Sequence, residues 1–376
     1  MRAGRLWTAV AAGLGWLPVL PASSAAQGTT TLTGPAGCTT CAVTLERVAT
    51  LGTTDGPASF SGGPRVVVRD SRGYLYVVDY QEPATVFVFD ARGAFVRRMG
   101  RHGQGPGELR HVTVLVVGPG DSLHVLDRGN QRRSVYGPDG GWARSDPWRV
   151  LAERGLAVGA DAVALNGHDP ANPLSPRLVQ VYGLDGTRRA SLGTDTATSV
   201  RDPMSLLYPE NRSRVMGRAA GGVWVGRPDA YRIEEWTQGG QLLRAVERRA
   251  EFFPEGLAFA LATPEQPPNP RLVAIHSPDP GTVWTVAHVA ARDWRSGVGA
   301  RIERPDGYVG YELDGDALYD SVLELWDLAG RRVLVSHRVP AQLQGFLSND
   351  LLWAWRQDAL GIPYVDVWRL TLRGGP

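Results

Sequence analysis

The chain has 376 residues, with 40 basic against 38 acidic side chains, and every basic one is arginine: no lysine occurs. That excludes chemistry needing an amine, such as a phosphate-loop lysine, a Schiff base or a Ser–Lys nucleophile pair. Removal of an expected leader carrying Arg2 and Arg5 leaves 38 basic and 38 acidic residues, so the basic footprint that nucleic acid requires is missing.

Taken in chain order, Met1 to Arg5 is basic, Leu6 to Leu20 is mostly apolar, and Ser24-Ala25-Ala26 offers small residues at a cleavage position. This pattern predicts a signal peptide over 1–26 and an exported product, periplasmic or extracellular. The apolar run holds Gly and Pro and falls short of the ~20 residues that cross a bilayer, so no membrane span is expected. Segment 27–41 then carries the only cysteines, Cys38 and Cys41. In an exported chain a structural disulfide is the expected reading. The alternatives are a reactive dithiol, which calls for a helix N-terminus, and a metal site, which calls for four ligands.

From Ala42 onward the chain reads as short alternating strands with Asp/Gly turns. Asp70-Ser-Arg-Gly-Tyr-Leu-Tyr-Val-Val-Asp79 is followed by Val86-Phe-Val-Phe-Asp90-Ala-Arg-Gly93, and about 48 residues later the pattern returns in Gly120-Asp-Ser-Leu-His-Val-Leu-Asp127 and Arg133-Ser-Val-Tyr-Gly-Pro-Asp-Gly140. Weaker copies are centred on Leu178 to Gly186, on Gly221 to Gly240 and on Gly281 to Gly330, the last interrupted by an insertion over 291–320. A sixth copy, Leu343 to Leu372, shows only three strands, and Ala42 to Gly52 is expected to supply its fourth. The predicted fold is therefore all-β: a six-bladed β-propeller over 42–373, closed by an N-terminal strand that completes the last blade. Trp224, Trp284, Trp326, Trp353 and Trp368 recur within strands and are assigned to packing between sheets.

The link Gly100-Arg-His-Gly-Gln-Gly-Pro-Gly-Glu-Leu109, followed by a strand and then Asp121-Ser-Leu-His-Val-Leu-Asp127, resembles the NHL-repeat six-bladed propellers, with His124 where tyrosine is commoner. The resemblance is good over two blades and loose over four. It implies the bacterial exported branch of that group, and a fold more than a reaction. As a nucleotide loop the stretch fails, because Gly103, Gly105 and Gly107 lead into β character and not into a helix. A tight linker is expected instead.

Some propellers of this size hold a catalytic cation in the central tunnel. The predicted innermost strands, 65–69, 113–117, 156–159, 214–218, 272–276 and 343–347, offer Arg65, Arg69, Arg214, Arg218, His276 and Gln344 but no carboxylate, which disfavours a hard cation. The seven histidines are scattered, no Gly-x-Ser-x-Gly elbow occurs, and Glu312 to Asp316 lacks the Gly and Glu of a calcium loop. Neither metal nor cofactor is expected.

In a propeller the links between second and third strands, and between successive blades, converge at one mouth. Those links place Arg128, His168, Arg227, Asp229, Tyr231, Arg292, Asp293, Trp294, Arg356 and Asp358 there, joined by Arg101, Arg110 and His111. Arginine beside aromatic rings suits carboxylates, phosphates, sugars or protein contacts. The expected function is a binding or scaffolding module that recognises a small anionic or sugar ligand, or a protein partner, at this mouth. The alternative is a propeller hydrolase or lyase acting on a small ester, lactone or glycan.

Overall fold

Each repeat becomes a four-stranded antiparallel sheet because its apolar residues alternate with turn residues at short intervals. In the computed structural model, which describes residues 28–167, 178–193, 214–254, 262–303 and 309–374, these sheets are the six blades of a β-propeller. Blade one is Pro64–Arg69, Leu75–Asp79, Val86–Phe89 and Phe95–Met99, innermost strand first. Blade two is Val112–Val117, Leu123–Asp127, Arg132–Tyr136 and Trp142–Pro147; blade three is Ala152–Val158, Ala162–Gly167, Val179–Gly183 and Arg188–Leu192. Blade four runs Val215–Ala219, Gly222–Gly226, Arg232–Thr237 and Leu242–Arg248, and blade five Arg271–Asp279, Thr282–Ala290, Tyr319–Asp327 and Arg332–Val339. Blade six takes Leu343–Phe346, Leu351–Gln357 and Pro363–Arg373 from the C-terminal end, and its outer strand, Ala42–Leu51, from the N-terminal end.

The ring is held by apolar contact between neighbouring blades. Among the described residues six buried clusters occur, one at each blade boundary, including a cluster that joins Val365 and Val367 of blade six to Phe87 and Phe89 of blade one. Trp224 and Trp326 are fully buried between blades four and five, Trp284 packs between five and six, and Trp353 and Trp368 lie half-buried against the blade-six faces. One polar group is sealed into the four–five boundary. The Glu324 carboxylate accepts from Tyr231 Oη, Arg248 Nε and Nη2, and Trp326 Nε1 at 3.0–3.1 Å.

The segment ahead of the closing strand does more than the sequence suggested. Thr30–Leu32 adds a fifth, parallel strand to blade four, with Leu32 fully buried in the four–five cluster. The Gly37 and Cys38 N–H groups then donate to Val333 and Leu334 of blade five. Cys38 and Cys41 form a disulfide, and Ala42 enters blade six one residue later, so this short segment straps three blades together. In the blade-five insertion a short 3-10 helix, Trp294–Gly297, precedes a hairpin of Val298–Glu303 and Val309–Leu313 and a four-residue helix, Gly315–Leu318. Among the described residues no helix is long and apolar enough to cross a membrane.

Candidate ligand-binding site

The second-to-third links and the blade-to-blade links do gather on one face, and aspartates at the ends of second strands fix how they lie. Asp79 accepts from the Ser61, Gly62 and Gln81 N–H groups, and Asp127 from those of Arg110 and His111. The repeated "apolar, apolar, Asp" corner is thus a clamp on the incoming link. The Gly-rich link is a structural linker: Glu108 accepts from Gly105 N at 2.7 Å and pairs with Arg101 at 2.9 Å. Gly103 has φ +159 there, and a Cβ on it would sit 2.1 Å from the Glu108 carboxylate.

Inside this mouth lies the axial channel, a cavity of about 300 Å³ lined by the inner strands of all six blades. Its walls carry the charges of three arginines, Arg65, Arg154 and Arg218, against one carboxylate, Glu153; Arg69 borders it as well, but its guanidinium lies beside Gly73 in a groove that Glu46 and Arg369 also line. Glu153 is shared between Arg65 and Arg128, the latter at 2.8 Å. Among the described residues Arg154 and Arg218 make no ion pair or hydrogen bond. The Arg154 side chain keeps solvent contact along the channel although protein surrounds it. Loss of bulk water, and then the neighbouring Arg271, push its pKa down, and desolvation does the same to Arg218.

His111 sits at the same mouth. Desolvation, then Arg65 and Arg128, hold its pKa below the ordinary histidine value. Tyr80, 62 % exposed, lies 5.5 Å from the Arg65 guanidinium in a cation–π contact. Deeper in, His276 Nε2 is 2.9 Å from Asn349 Oδ1, its ring stacks on Phe346, and burial lowers its pKa.

The predicted site residues divide into distinct groups. Arg128 and His111 come together with Arg65 and Glu153 at the channel mouth. Arg110 is exposed in the adjoining link, and Arg101 stays on the outer link with Glu108. Arg227 forms a bidentate pair with Asp229, whose pKa falls because Arg227 and Arg214 outweigh the cost of burial. Arg356 is committed to Asp366 at 2.9 Å and lies over Tyr364, while Asp358 accepts from Leu360 N and Ile362 N within its own turn. Arg292 and Asp293 are exposed at the start of the insertion. Two residues lie elsewhere than expected. Tyr231 is buried in the four–five core, stacked on Phe253, with its hydroxyl hydrogen-bonded to Glu324 and Thr285. Trp294 is also buried, at the start of the short 3-10 helix, with Arg295 over its face. His168 lies outside the described residues.

Sequence reasoning missed Glu153 and Arg154. The inner strand of blade three begins at Ala152, not at Leu156; the polar pair breaks the apolar alternation that marks a strand. Counting back six residues from the Gly159-Ala-Asp161 turn, as in blades one and two, would have included both.

Compared with known proteins, residues 62–141 match the family model DUF5128, a 6-bladed beta-propeller. No curated protein matches the chain. Among solved structures it is similar to a Bacteroides fragilis protein described as a candidate for export, at 11 % identity and TM-score 0.53, covering 92 % of this chain and 100 % of that one. It is also similar to a member of the DUF4221 family from Bacteroides vulgatus, at 10 % identity and TM-score 0.56, covering 89 % and 99 %. Family model and neighbours agree with the architecture in supporting one coarse identity, a six-bladed β-propeller.

Proposed function

We propose that this chain is an exported binding protein that holds an anionic ligand where the linked mouth opens into the axial channel. The observation that carries the reading is the charge excess on the channel wall: the guanidinium groups of Arg65, Arg154 and Arg218 face one carboxylate, and that carboxylate is already shared. Guanidinium recognises carboxylate and phosphate through paired, charge-assisted hydrogen bonds, and such bonds strengthen where water is thinned. Arg154 and Arg65 are the anchors, Arg128 and His111 form the rim, and Tyr80 supplies an apolar face for a ring or chain. The division into a leader over 1–26, a strap over 27–41 and a binding propeller over 42–373 belongs to the same reading. It is supported by the basic and apolar start of the chain and by the disulfide, a bond of oxidising compartments.

The test is thermal unfolding in sodium phosphate against sodium chloride at matched ionic strength. Phosphate should raise the midpoint of the wild-type protein more than that of Arg154→Ala, because binding to the native state alone adds stability. The variant serves as the control for general salting effects. Equal responses in both proteins would remove the anion site.

A further inference from the structure

The end of the ring opposite the linked mouth, where the first-to-second and third-to-fourth turns lie, carries a separate concentration of arginine. Across the boundary between blades six and one, Val67, Leu75 and Phe89 meet Ala49 and Val367 in one buried cluster. Side chains on one face of a strand recur every second residue, so Arg69 follows Val67, and Arg369 follows Val367, into the same seam from opposite blades. Arg369 stands opposite Glu46 of the closing strand and opposite Leu351. There the sheets part around a groove of about 470 Å³, lined by Arg69, Arg92, Arg369 and Glu46, with the buried Leu75 and Val367 as its apolar floor. Gly73, at φ +97, makes room for the Arg69 guanidinium: a Cβ on it would lie 3.3 Å from Arg69 Nη2 and 2.9 Å from the Ala91 methyl.

Other boundaries are closed at this end by neutral or compensated contacts. Ser71 N and Oγ donate to Asp121 between blades one and two at 2.9 and 2.7 Å, Arg189 reaches Gln238 between three and four at 3.3 Å, and His276 pairs with Asn349 between five and six at 2.9 Å. Between six and one, the side chains of Arg69, Arg92, Arg369 and Glu46 make no ion pair or hydrogen bond among the described residues. Arg47, the remaining arginine of the groove, is taken by Asp366 at 3.4 Å. Three unpaired guanidinium groups against one carboxylate leave two positive charges in the seam.

We infer that this groove is a second anion site, independent of the channel mouth, and that it takes a phosphate monoester whose organic part lies on Leu75 and Val367. A phosphate monoester carries close to two negative charges near neutral pH and offers three strong acceptor oxygens, enough for guanidinium groups that approach from opposite blades, whereas a carboxylate brings one charge and two oxygens. The volume lies within the range of small-molecule sites. Because Arg369 and Glu46 belong to blade six and Arg69 and Arg92 to blade one, the bound phosphate bridges two blades.

The experiment is calorimetric titration of the mature full chain, at low salt and pH about 8, where the phosphate is doubly charged, with phenyl phosphate as the probe and benzoate as the singly charged control. Every protein carries Arg154→Ala, which keeps the channel mouth from contributing. One phenyl phosphate should bind per chain, about tenfold or more tighter than benzoate. Arg69→Ala and Arg369→Ala, on different blades, should each weaken phenyl phosphate by about tenfold or more. Glu46→Gln should tighten it by about threefold, a gain that a misfolded variant cannot produce. Absence of binding, or binding that all three substitutions leave unchanged, overturns the site, and benzoate binding as tightly as phenyl phosphate overturns the phosphate assignment.

Discussion

Replacing Arg154 by leucine should stabilise the ligand-free protein while destroying its affinity for anions. Arg271 is the charged neighbour that, after desolvation, depresses the pKa of Arg154. Two like charges about 10 Å apart repel by roughly 1.7 kcal/mol at an effective dielectric of about 20. Salt at physiological strength, with a Debye length of about 8 Å, trims this to roughly 0.5 kcal/mol. Desolvation, the larger cause of the depressed pKa, acts in the same direction. Relief of about 1 kcal/mol follows, the size commonly gained when a functional site is relaxed at the expense of activity. Urea unfolding followed by tryptophan fluorescence, in chloride buffer at 20 mM and at 1 M salt, reads the effect. Arg154→Leu should be the more stable at low salt, and the gap should shrink at high salt. A variant less stable than wild type at low salt, or a gap that ignores salt, would refute the claim that Arg154 is an uncompensated cation.

Two further outcomes follow from the interior. Glu324→Gln should cost about 3–5 kcal/mol in urea unfolding, because it leaves the buried Arg248 guanidinium without a counter-charge; Glu324→Leu combined with Arg248→Met should recover most of that loss, and a cost below about 1 kcal/mol for the single variant would show the pair to be dispensable. Stability should also fall between pH 7 and pH 5. Burial, then Arg271, lowers the pKa of His288 to about 3, and burial, then Arg133, lowers that of His124 to about 4. Both stay neutral when folded, while the unfolded chain takes up protons below about 6.5. Their contribution is therefore full above pH 6.5 and is lost as pH falls toward 4 and 3, about 2 kcal/mol per histidine by pH 5. Unfolding free energies equal at pH 7 and pH 5 would contradict the burial of these two rings.

The ring was readable because its signals are local and repeated. Asp90, Asp139 and Asp185 each close a turn by accepting from the N–H two residues on, and each such turn announces itself as Asp with a nearby Gly. The closing strand was readable from a count, since a copy with three strands needs a fourth. The strap was not: Thr30–Leu32 is three residues between glycines and proline, too short to show alternation, and it is held by the edge of blade four. The mouth was legible as a set of links but not as a set of directions. Arg128 begins the link after its second strand and Arg356 lies near the end of its own; one reaches Glu153 on the inner strand of the next blade and the other folds back on Asp366 of the adjacent strand, a choice made by carboxylates that no local pattern reports. Tyr231 looked like a recognition residue because it ends a link, yet a buried acceptor, Glu324, lies 93 residues away in sequence, and no local pattern reports it.

Diffraction from crystals soaked in sodium selenate tests the central claim most directly, because anomalous scattering locates the dianion without assumption about its site. A selenium peak within ion-pair reach of the Arg154 and Arg65 guanidinium groups, about 4 Å, is the predicted result. Selenate found only on outer arginines such as Arg101 and Arg144, with the channel empty of anomalous density, would contradict it.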